Sequence, residues 1–549
     1  MADKPKNILF IMCDQLRWDY LSCYGHPTLL TKNIDRLASR SLRFTRAFVQ
    51  SPVCGSSRMS FYTGRYVRSH GASYNGVPLK VGEWTMGDYL RPLGLDTALV
   101  GKTHMKADAE GMEKLGIEPD SIIGVRVAEC GFDPYERDDG LHAHGPVGRY
   151  DPREPAYNRY LNQKGYGGDN PWHDWANAAE GEGGELASGW AMRHARKPAR
   201  VNEEHSETPY MTRRAMDYIS EHGSRPWCLH LSYIKPHWPY IAPEPYNDMY
   251  GPTDVIKCIR SDKERENPHP VFREFMAQRV SKNFSRDEVR REVIPAYMGL
   301  IKQIDDSLGM LFDFLDNRGL FGNTMIVFTS DHGDYLGDHW LGEKDLFHEP
   351  SVRVPLIVYD PSPEANATRG KTTDALVESI DLLPTFIDYA GGDSSDHAHR
   401  LEGRSLKPLL AGARPEGWRQ YVFSEYDYSM REEANRLKKG PRDAWLFMVR
   451  GARYKYIHAP GYRPMMFDLE EDPNEFSDLG ADPRSAVERT RMAGALQEWA
   501  LRNAQRTTAD DETVMKRRAG AEQVGIHIGV WDEAELEPHY WDAYRGGEG

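Results

Sequence analysis

Four short apolar runs most constrain how this chain can fold, because each run ends abruptly in polar residues. The runs are NILFIM at 7–12, DTALV at 96–100, CLHLSYI at 228–234 and TMIVFTS at 324–330. Apolar runs of this length are typical of strands buried on both faces of a parallel sheet. The carboxyl ends of parallel strands share one edge of a sheet, and ligands bind beyond that edge. The polar residues after the four runs are therefore the first candidates for a functional site.

Amphipathic patterns typical of helices lie between the runs. Examples are NIDRLASRS at 33–41, TRRAMDYISEHG at 212–223 and AYMGLIKQIDDSLGMLFDFLDNRG at 296–319. Strands that alternate with helices predict an α/β fold, in which helices flank a large, mainly parallel mixed sheet.

Changes of composition along the chain indicate its organisation. Residues 1–415 are interpreted as the α/β domain that holds the functional site, with an insertion at 148–205 rich in Gly, Pro, Trp and Tyr. The insertion is expected to be a lid, a subunit contact or a surface cover rather than a core element. Residues 416–505 predict a small α+β unit with antiparallel strands on one helix. The tail at 506–549 carries aromatic residues, and we prefer packing on another subunit, in a dimer or tetramer, over packing on its own chain.

Composition excludes some classes of partner. The chain has 549 residues and a formal net charge of −14, which argues against binding to nucleic acid because phosphate backbones need a basic surface. A small anionic substrate still fits if cationic side chains or a metal reverse the field inside a cleft. The six cysteines are scattered without paired spacing, and neither a signal peptide nor a membrane span is recognisable. We expect a cytoplasmic protein with reduced thiols and no membrane partner.

Two of the residues that follow strand runs are aspartates, Asp14 after the first run and Asp331 after the fourth. A shared parallel sheet would bring both carboxylates to one edge, where they favour a cation. The amide oxygen of Gln15 and a ring nitrogen of His332 are further candidate ligands. This set suits one Ca²⁺ or Mn²⁺ ion better than a closed zinc site. Taken alone, DHGD at 331–334 also fits an ordinary solvated loop.

A lone cysteine, Cys54, precedes a segment in which Ser56 or Ser57 is expected to cap a helix, with Arg58 in its first turn. A helix N-terminus stabilises a bound anion, although a lone buried cysteine is also a common core residue. Further cationic and titratable residues fall near the same predicted edge: Lys102, His104, His237 and Lys344. Together with Arg58 they predict a pocket for a small tetrahedral anion beside a metal.

The segment CGSSRMSFYTGR at 54–65 resembles the signature of the sulfatase family, within the alkaline-phosphatase superfamily. The likeness extends over nearly the whole chain and keeps the family's order. It includes VGKTHM at 100–105, YIKPHWPY at 233–240 and FTSDHGDYLGDHWLGEKDLFHEPSVRVPLIVYDP at 328–361. Within the family, the segments SRMSFYTGRY and GEKDLFHEPSVRVPLI most resemble the branch that contains arylsulfatases and phosphonate monoester hydrolases. The resemblance implies an alkaline-phosphatase-like fold.

The resemblance also implies what the cysteine does. In this family the cysteine at the position of Cys54 is oxidised by a formylglycine-generating maturation enzyme, and the resulting aldehyde hydrates to a diol. One diol oxygen, polarised by the metal and Arg58, would attack the sulfur of a sulfate ester. His104 would take a proton from the other hydroxyl. One departure is Ser56, where the signature usually has proline.

Roles for the other candidates follow from the same resemblance. Lys102 and Lys344 would hold the non-bridging oxygens of the substrate, and Asn75 would be a further pocket contact. His237, together with Lys344, would assist the departing alcohol. The implied metal ligands are Asp14, Gln15, Asp331, His332 and the modified Cys54.

Three functions stay open. The first is formylglycine- and metal-dependent hydrolysis of sulfate esters of the arylsulfatase type, with side activity on phosphonate monoesters and phosphodiesters. The second uses the same site mainly for phosphonate monoesters or phosphodiesters. The third is a non-catalytic anion-binding homologue with an unmodified Cys54. GKTH at 101–104 favours the first function. At these positions the chain resembles sulfatases, which have the lysine and the histidine, whereas phosphonate monoester hydrolases of this branch have a tyrosine and a threonine in place of Lys102 and His104.

Overall fold

The computed structural model describes residues 6–140, 155–502, 506–518, 520 and 525–540. The strands β1–β15 are Asn7–Asp14, Leu42–Phe48, Asp96–Gly101, Asp133–Arg137, Ala178–Glu180, Leu186–Ser188, Trp227–Pro236, Thr324–Ser330, Arg353–Tyr359, Thr372–Thr373, Val377–Glu378, Val422–Asp427, Trp445–Arg450, Tyr454–His458 and Met465–Asp468. The helices α1–α17 are Lys32–Ser39, Cys54–Thr63, Val67–His70, Met86–Leu90, Ala109–Lys114, Ile122–Ala128, Ala156–Gln163, Glu207–His222, Pro270–Met276, Arg279–Phe284, Asp287–Asn317, Glu349–Val352, Leu382–Ala390, Lys407–Leu410, Glu432–Arg436, Ala486–Arg502 and Asp511–Lys516. Within the described ranges, no helix combines the length and the apolar character that crossing a membrane requires.

The main sheet has the strand order β10–β2–β9–β8–β1–β7–β3–β4, with β11 also paired to β2. Strand β1 is parallel to both of its neighbours, β7 and β8, and β3 is parallel to β7 and β4. Only β9 runs antiparallel to its neighbours among these described strands. The predicted α/β fold with a mainly parallel mixed sheet is confirmed. The four strands predicted from apolar runs lie side by side in the order β8, β1, β7, β3, so their polar ends meet at one edge.

Strand β1 shows why an unbroken apolar run was needed. Every residue of this strand is buried, and its side chains alternate between the two faces of the sheet. The even-numbered residues from Ile8 to Met12 join one core, which includes helices α2, α4 and α13. The odd-numbered residues from Leu9 to Cys13 join the other, under α1, α8 and α11. Burial on both faces fixes the strand whose end carries Asp14.

Strands β12–β15 form a separate antiparallel sheet. One of its faces joins the core around α2 and α13, and the other packs against α16, where the rings of Phe423 and Trp499 stack at 4.7 Å. The predicted smaller C-terminal α+β unit is therefore confirmed. The exact boundaries at 415 and 505 stay predictions.

The expectation that the insertion stands outside the core is wrong for its described part, 155–205. Tyr157, Leu161 and Trp172 are at most 3% exposed and belong to the core under α8 and α11. Its aromatic side chains bury large apolar areas, which stabilise the segment against the sheet. Residues 148–154 lie outside the described residues. In the tail, Trp531 is 94% exposed. Residues 519, 521–524 and 541–549 of the predicted oligomer contact lie outside the described residues.

Candidate active site

Helix α2 begins at Cys54 itself, one turn earlier than the serine cap predicted from sequence. Val53 occupies the N-cap position in an extended conformation and supplies no side-chain cap. The serine prediction is wrong because both hydroxyls have other partners: Ser56 Oγ lies 2.8 Å from Ser51 Oγ, and Ser57 Oγ donates to the Asp331 carbonyl at 2.5 Å. The second bond ties the start of α2 to the loop after β8.

A glycine after the cysteine lets Asn75 approach the helix end. Asn75 Oδ1 accepts a hydrogen bond from the Gly55 backbone N–H at 2.8 Å. A Cβ atom on Gly55 would lie 2.9 Å from that oxygen and 3.3 Å from the Asn75 Cα, so a larger residue would displace the backbone of Asn75. The structure thus places Asn75 beside the N-terminus of α2, and its role as a contact of the substrate stays a prediction.

Arg58 connects the two aspartates that follow β1 and β8. Its Nε donates to Asp331 Oδ2 at 2.8 Å, and a terminal nitrogen donates to Asp14 Oδ2 at 3.2 Å. The other terminal nitrogen donates to the Lys102 carbonyl at 2.8 Å and to Ser232 Oγ at 2.7 Å. The guanidinium and both carboxylates are fully buried. Because each of its three guanidinium nitrogens donates at least one hydrogen bond, Arg58 is held rigidly at the base of the site.

Lys102 neutralises the same carboxylate from the end of β3. Its Nζ donates to Asp14 Oδ2 at 2.6 Å. Burial alone would raise the pKa of Asp14, but the positive charges of Lys102 and Arg58 bring that pKa well below its ordinary value. Asp14 is therefore ionised, and the pKa of Lys102 is raised by its partner despite burial.

A group of potential metal ligands surrounds the cysteine. One ligand atom from each of Asp14, Cys54, Asp331 and His332 lies within 4.8 Å of all the others, and all four residues are buried. His332 Nδ1 donates to the Gly333 carbonyl at 2.8 Å, so its Nε2 faces the group as an acceptor. Two carboxylates and an imidazole suit a divalent cation of the hard or borderline kind. The predicted juxtaposition of these residues is found, and the donor set fits one such ion.

Gln15 lies beside this group and connects it to Lys344. Gln15 Oε1 accepts from Lys344 Nζ at 3.1 Å, while its amide nitrogen donates to Tyr240 at 3.0 Å and to Asp334. Tyr240 also donates to Asp334 at 2.7 Å. Sequence reasoning missed Tyr240 and Asp334 as supports of the site, although both lie in quoted motifs, PHWPY and DHGD. The ligand role of Gln15 stays a prediction.

His237 and Lys344 form a pair on the far side of the ligand group. Lys344 Nζ lies 3.2 Å from His237 Nε2, which is 3.9 Å from Asp14 Oδ1. His237 Nδ1 donates to the Trp238 carbonyl at 2.8 Å. Burial, followed in effect by Lys344 and Lys102, lowers the pKa of His237 well below its ordinary value despite the attraction of Asp14. The imidazole is therefore neutral and presents Nε2 to the ammonium.

His104 lies two residues after Lys102, beyond the end of β3, and its backbone has a positive φ of 55°. Its backbone N–H donates to Asp139 at 3.3 Å, and its buried Nδ1 has no hydrogen-bond partner among the described residues. Burial and then Lys102 lower its pKa well below the ordinary value. A neutral imidazole with an unused ring nitrogen is suited to accept a proton.

The loop that carries Lys344 is strained and anchored from the C-terminal sheet. Its neighbours Glu343 and Asp345 have φ values of 65° and 104°, a region that side-chain-bearing residues occupy at a cost of about 1–3 kcal/mol each. Asp345 accepts hydrogen bonds from Tyr426 at 2.9 Å and from Arg431 at 2.8 Å. These supports were not predicted, because no sequence pattern connects residues about 80 positions apart.

The fold and the pocket define the class first: an alkaline-phosphatase-like hydrolase, with its site beyond the carboxyl ends of adjacent parallel strands. Residues 6–392 match the Sulfatase family model, and residues 337–501 match the model described as N-sulphoglucosamine sulphohydrolase, C-terminal. The chain therefore belongs to the sulfatase family and is an enzyme of its sulfuric ester hydrolase class.

Individual relatives agree with this assignment. A multifunctional alkaline phosphatase superfamily protein of Trinickia caryophylli is 32% identical over 91% of this chain and 96% of its own length. An arylsulfatase of Clostridium perfringens is 28% identical over 87% of this chain and 90% of its own. Among solved structures, a phosphonate monoester hydrolase from Silicibacter pomeroyi superposes with a TM-score of 0.79 at 27% identity and covers 92% of this chain and 98% of its own.

Proposed function

We propose that this chain is a formylglycine- and metal-dependent hydrolase of sulfate esters, with aryl sulfates as main substrates and phosphonate monoesters and phosphodiesters as minor ones. The observation that supports this proposal is the cationic excess of the pocket. Two carboxylates would balance one divalent ion, and the charges of Arg58, Lys102 and Lys344 together exceed that of the Glu343 carboxylate, 3.5 Å from Lys344. A net positive charge therefore remains to attract an anionic substrate. Such an excess favours a small tetrahedral anion over a neutral ester.

The proposal requires two groups that the gene does not encode, a divalent metal ion and a formylglycine at position 54. Asp14, Gln15, Asp331 and His332, with residue 54, would hold a Ca²⁺ or Mn²⁺ ion, which makes a nearby hydroxyl more acidic. A formylglycine at position 54, made by a maturation enzyme, would supply that hydroxyl once hydrated.

The remaining roles belong to side chains of this chain. Lys102 and Lys344 bind non-bridging oxygens, because each presents an ammonium into the pocket beside Asp14 or Gln15. His104 accepts a proton at its unpartnered Nδ1. The positive charge of Lys344, next to His237, stabilises the negative charge that develops on the oxygen of the departing alcohol.

A phosphonate monoesterase is the second candidate, because the superposed structure from Silicibacter pomeroyi is such an enzyme. Steady-state kinetics on a matched aryl sulfate and aryl phosphonate monoester separate the two. We expect a higher kcat/KM for the sulfate, since Lys102 and His104 supply charge and basicity that neutral hydroxyl groups lack. A higher value for the phosphonate would select the second candidate. Activity on neither ester would contradict both candidates.

A homo-oligomer and a cytoplasmic location stay proposals. The exposure of Ile528 and Trp531, at 91% and 94%, supports an intermolecular contact of the tail. Light scattering of the full chain after size-exclusion chromatography tests it, because a monomeric mass would contradict the proposal.

A further inference from the structure

A cleft of about 690 Å³ lies beside the reaction centre. Its volume falls within the roughly 300–1,000 Å³ of pockets that enclose drug-sized ligands. The segment 148–205, the rest of the α/β domain and the C-terminal unit all contribute to its lining, which includes Trp190, Met192, Trp238, Glu343, Met430 and Arg431. The cleft is therefore larger than the anion pocket needs, and its use is not explained by the tetrahedral group of the substrate.

Trp238 connects the cleft to the end of the site where the alcohol would depart. Its ring lies 4.0 Å from that of His237, and its Nε1 donates to Glu343 Oε1 at 3.3 Å. Glu343 directly precedes Lys344, whose Nζ lies 3.2 Å from His237 Nε2. The cleft wall thus begins next to the His237–Lys344 pair.

The wall is aromatic and apolar where it is open. The rings of Trp190 and Trp238 lie 5.1 Å apart at an angle of 57°. Trp190 is 47% exposed and Met430 is 63% exposed, so the open part of the cleft presents apolar side chains that a ligand could cover. The six charged lining residues balance in sign: Arg279, Arg431 and Arg436 against Glu343, Glu432 and Glu433. The cleft therefore offers ring contacts without a net charge.

We infer that this cleft binds the organic half of the ester and selects an uncharged aromatic group larger than a single ring, with Trp190 and Trp238 as the residues that determine this selectivity. The inference rests on the proposed function and names the substrate class of the same site. Trp190 belongs to the segment 148–205 and Met430 to the C-terminal unit, so both regions shape specificity.

Kinetics on two esters with leaving groups of similar acidity test the inference. We expect a higher kcat/KM for 2-naphthyl sulfate than for phenyl sulfate, because the second ring reaches Trp190. Trp190→Ala should lower the naphthyl value by about five- to ten-fold, the loss of one aromatic contact, and change the phenyl value less than two-fold. Trp190→Phe should retain most of the preference. Trp84→Ala, on a partly exposed tryptophan that does not line the cleft, is the matched control and should change neither value.

Binding of non-reacting sulfonates gives a second readout that does not depend on turnover. Calorimetry should show tighter binding of 2-naphthalenesulfonate than of benzenesulfonate, and Trp190→Ala should remove the difference. If neither ester is hydrolysed but this difference is found, the proposed function fails and the aromatic subsite stands. If the esters are hydrolysed but neither preference depends on Trp190, the subsite is wrong and the proposed function stands.

Discussion

Sγ of Cys54 lies 3.0 Å from Nε2 of His332 and 3.7 Å from Oδ1 of Asp14. Residue 54 therefore sits inside the group of potential metal ligands rather than at the rim of the pocket. Burial, with Asp14 as the next cause, raises the pKa of its thiol to about 12. An oxygen on the same side chain would lie among the same partners. A hydroxyl of a hydrated formylglycine at position 54 would therefore lie beside the potential metal ligands, as the proposed mechanism requires.

Removal of the metal should inactivate the enzyme, and loss of one carboxylate should also destabilise the fold. Asp331→Asn leaves the buried Arg58 with only one carboxylate partner, so we expect a loss of about 3 kcal/mol in the free energy of unfolding, together with weaker binding of Ca²⁺ or Mn²⁺. Denaturant titration and calorimetric metal titration measure both effects.

The matched control for that variant is an exposed aspartate. Asp313→Asn breaks a surface ion pair with Arg36, in which the Asp313 side chain is 62% exposed, and should cost less than about 1 kcal/mol. Full activity of a metal-free preparation, or equal stability losses in both variants, would contradict this account of the ligand group.

The double variant Lys102→Tyr with His104→Thr should shift the preference from sulfate toward phosphonate. It replaces an ammonium beside Asp14 and a buried imidazole by neutral hydroxyl groups, which stabilise the charge of a sulfate less. The ratio of kcat/KM on matched aryl esters should fall at least ten-fold relative to wild type. A ratio that the exchange leaves unchanged would show that these two positions do not set the preference.

Tyr426→Phe should slow the release of poor leaving groups. It removes a hydrogen bond of 2.9 Å to Asp345, worth about 1 kcal/mol, that holds the strained loop around Lys344. We expect a several-fold lower kcat with an aryl sulfate of high leaving-group pKa and a smaller change with an activated one. Tyr428→Phe, on a buried tyrosine of the same segment, is the control. An equal loss for both esters would assign Tyr426 a purely structural role.

The ion cluster of Glu349 should make stability depend on pH. Glu349 lies 3.1 Å from Lys455 and 3.4 Å from Arg450 of the C-terminal sheet. Burial alone would raise its pKa, but Lys455, Arg450 and Arg353 lower it from 4.5 to about 2. A depressed pKa stabilises the fold above the unfolded value, and this contribution is lost as the pH falls from 4.5 toward 2.

Comparison with Glu349→Gln isolates that contribution. The variant should be less stable than wild type by roughly 2–3 kcal/mol at pH 7, and the difference should shrink below pH 4.5. Urea titrations of both proteins at several pH values measure it, with the exposed Glu364→Gln as control. A difference that stays constant down to pH 3 would rule out the ion cluster as its source.

The sequence was sufficient to predict four central strands of the sheet and the shared edge at which the candidate residues meet. The apolar runs before Asp14, Lys102, His237 and Asp331 are short and followed at once by polar residues, so both the strands and their functional ends are visible in the chain. The structure brings these residues together because the four strands are neighbours. That adjacency depends on tertiary pairing, but the carboxyl-end rule makes the shared edge predictable.

The supports of the pocket were not predictable in the same way. Asp345 is held by Tyr426 of strand β12 and by Arg431, which directly precedes helix α15. Such long-range hydrogen bonds leave no periodic signal in the sequence. The composition of the segment 148–205, rich in Gly, Pro, Trp and Tyr, suggested a position outside the core, whereas the large ring of Trp172 is buried in the core. The start of α2 was misplaced because Ser56 and Ser57 have the composition of a cap but bond elsewhere.

The mass of the tryptic peptide at 47–58 tests the central claim most directly. The protein should be produced with a formylglycine-generating enzyme, and its specific activity on an aryl sulfate should be measured on the same sample. The account predicts a peptide in which residue 54 has exchanged sulfur for oxygen and lost two hydrogens, in a fraction that rises in proportion to activity, and no activity in Cys54→Ala. A fully active sample whose peptide retains an unmodified cysteine would contradict it.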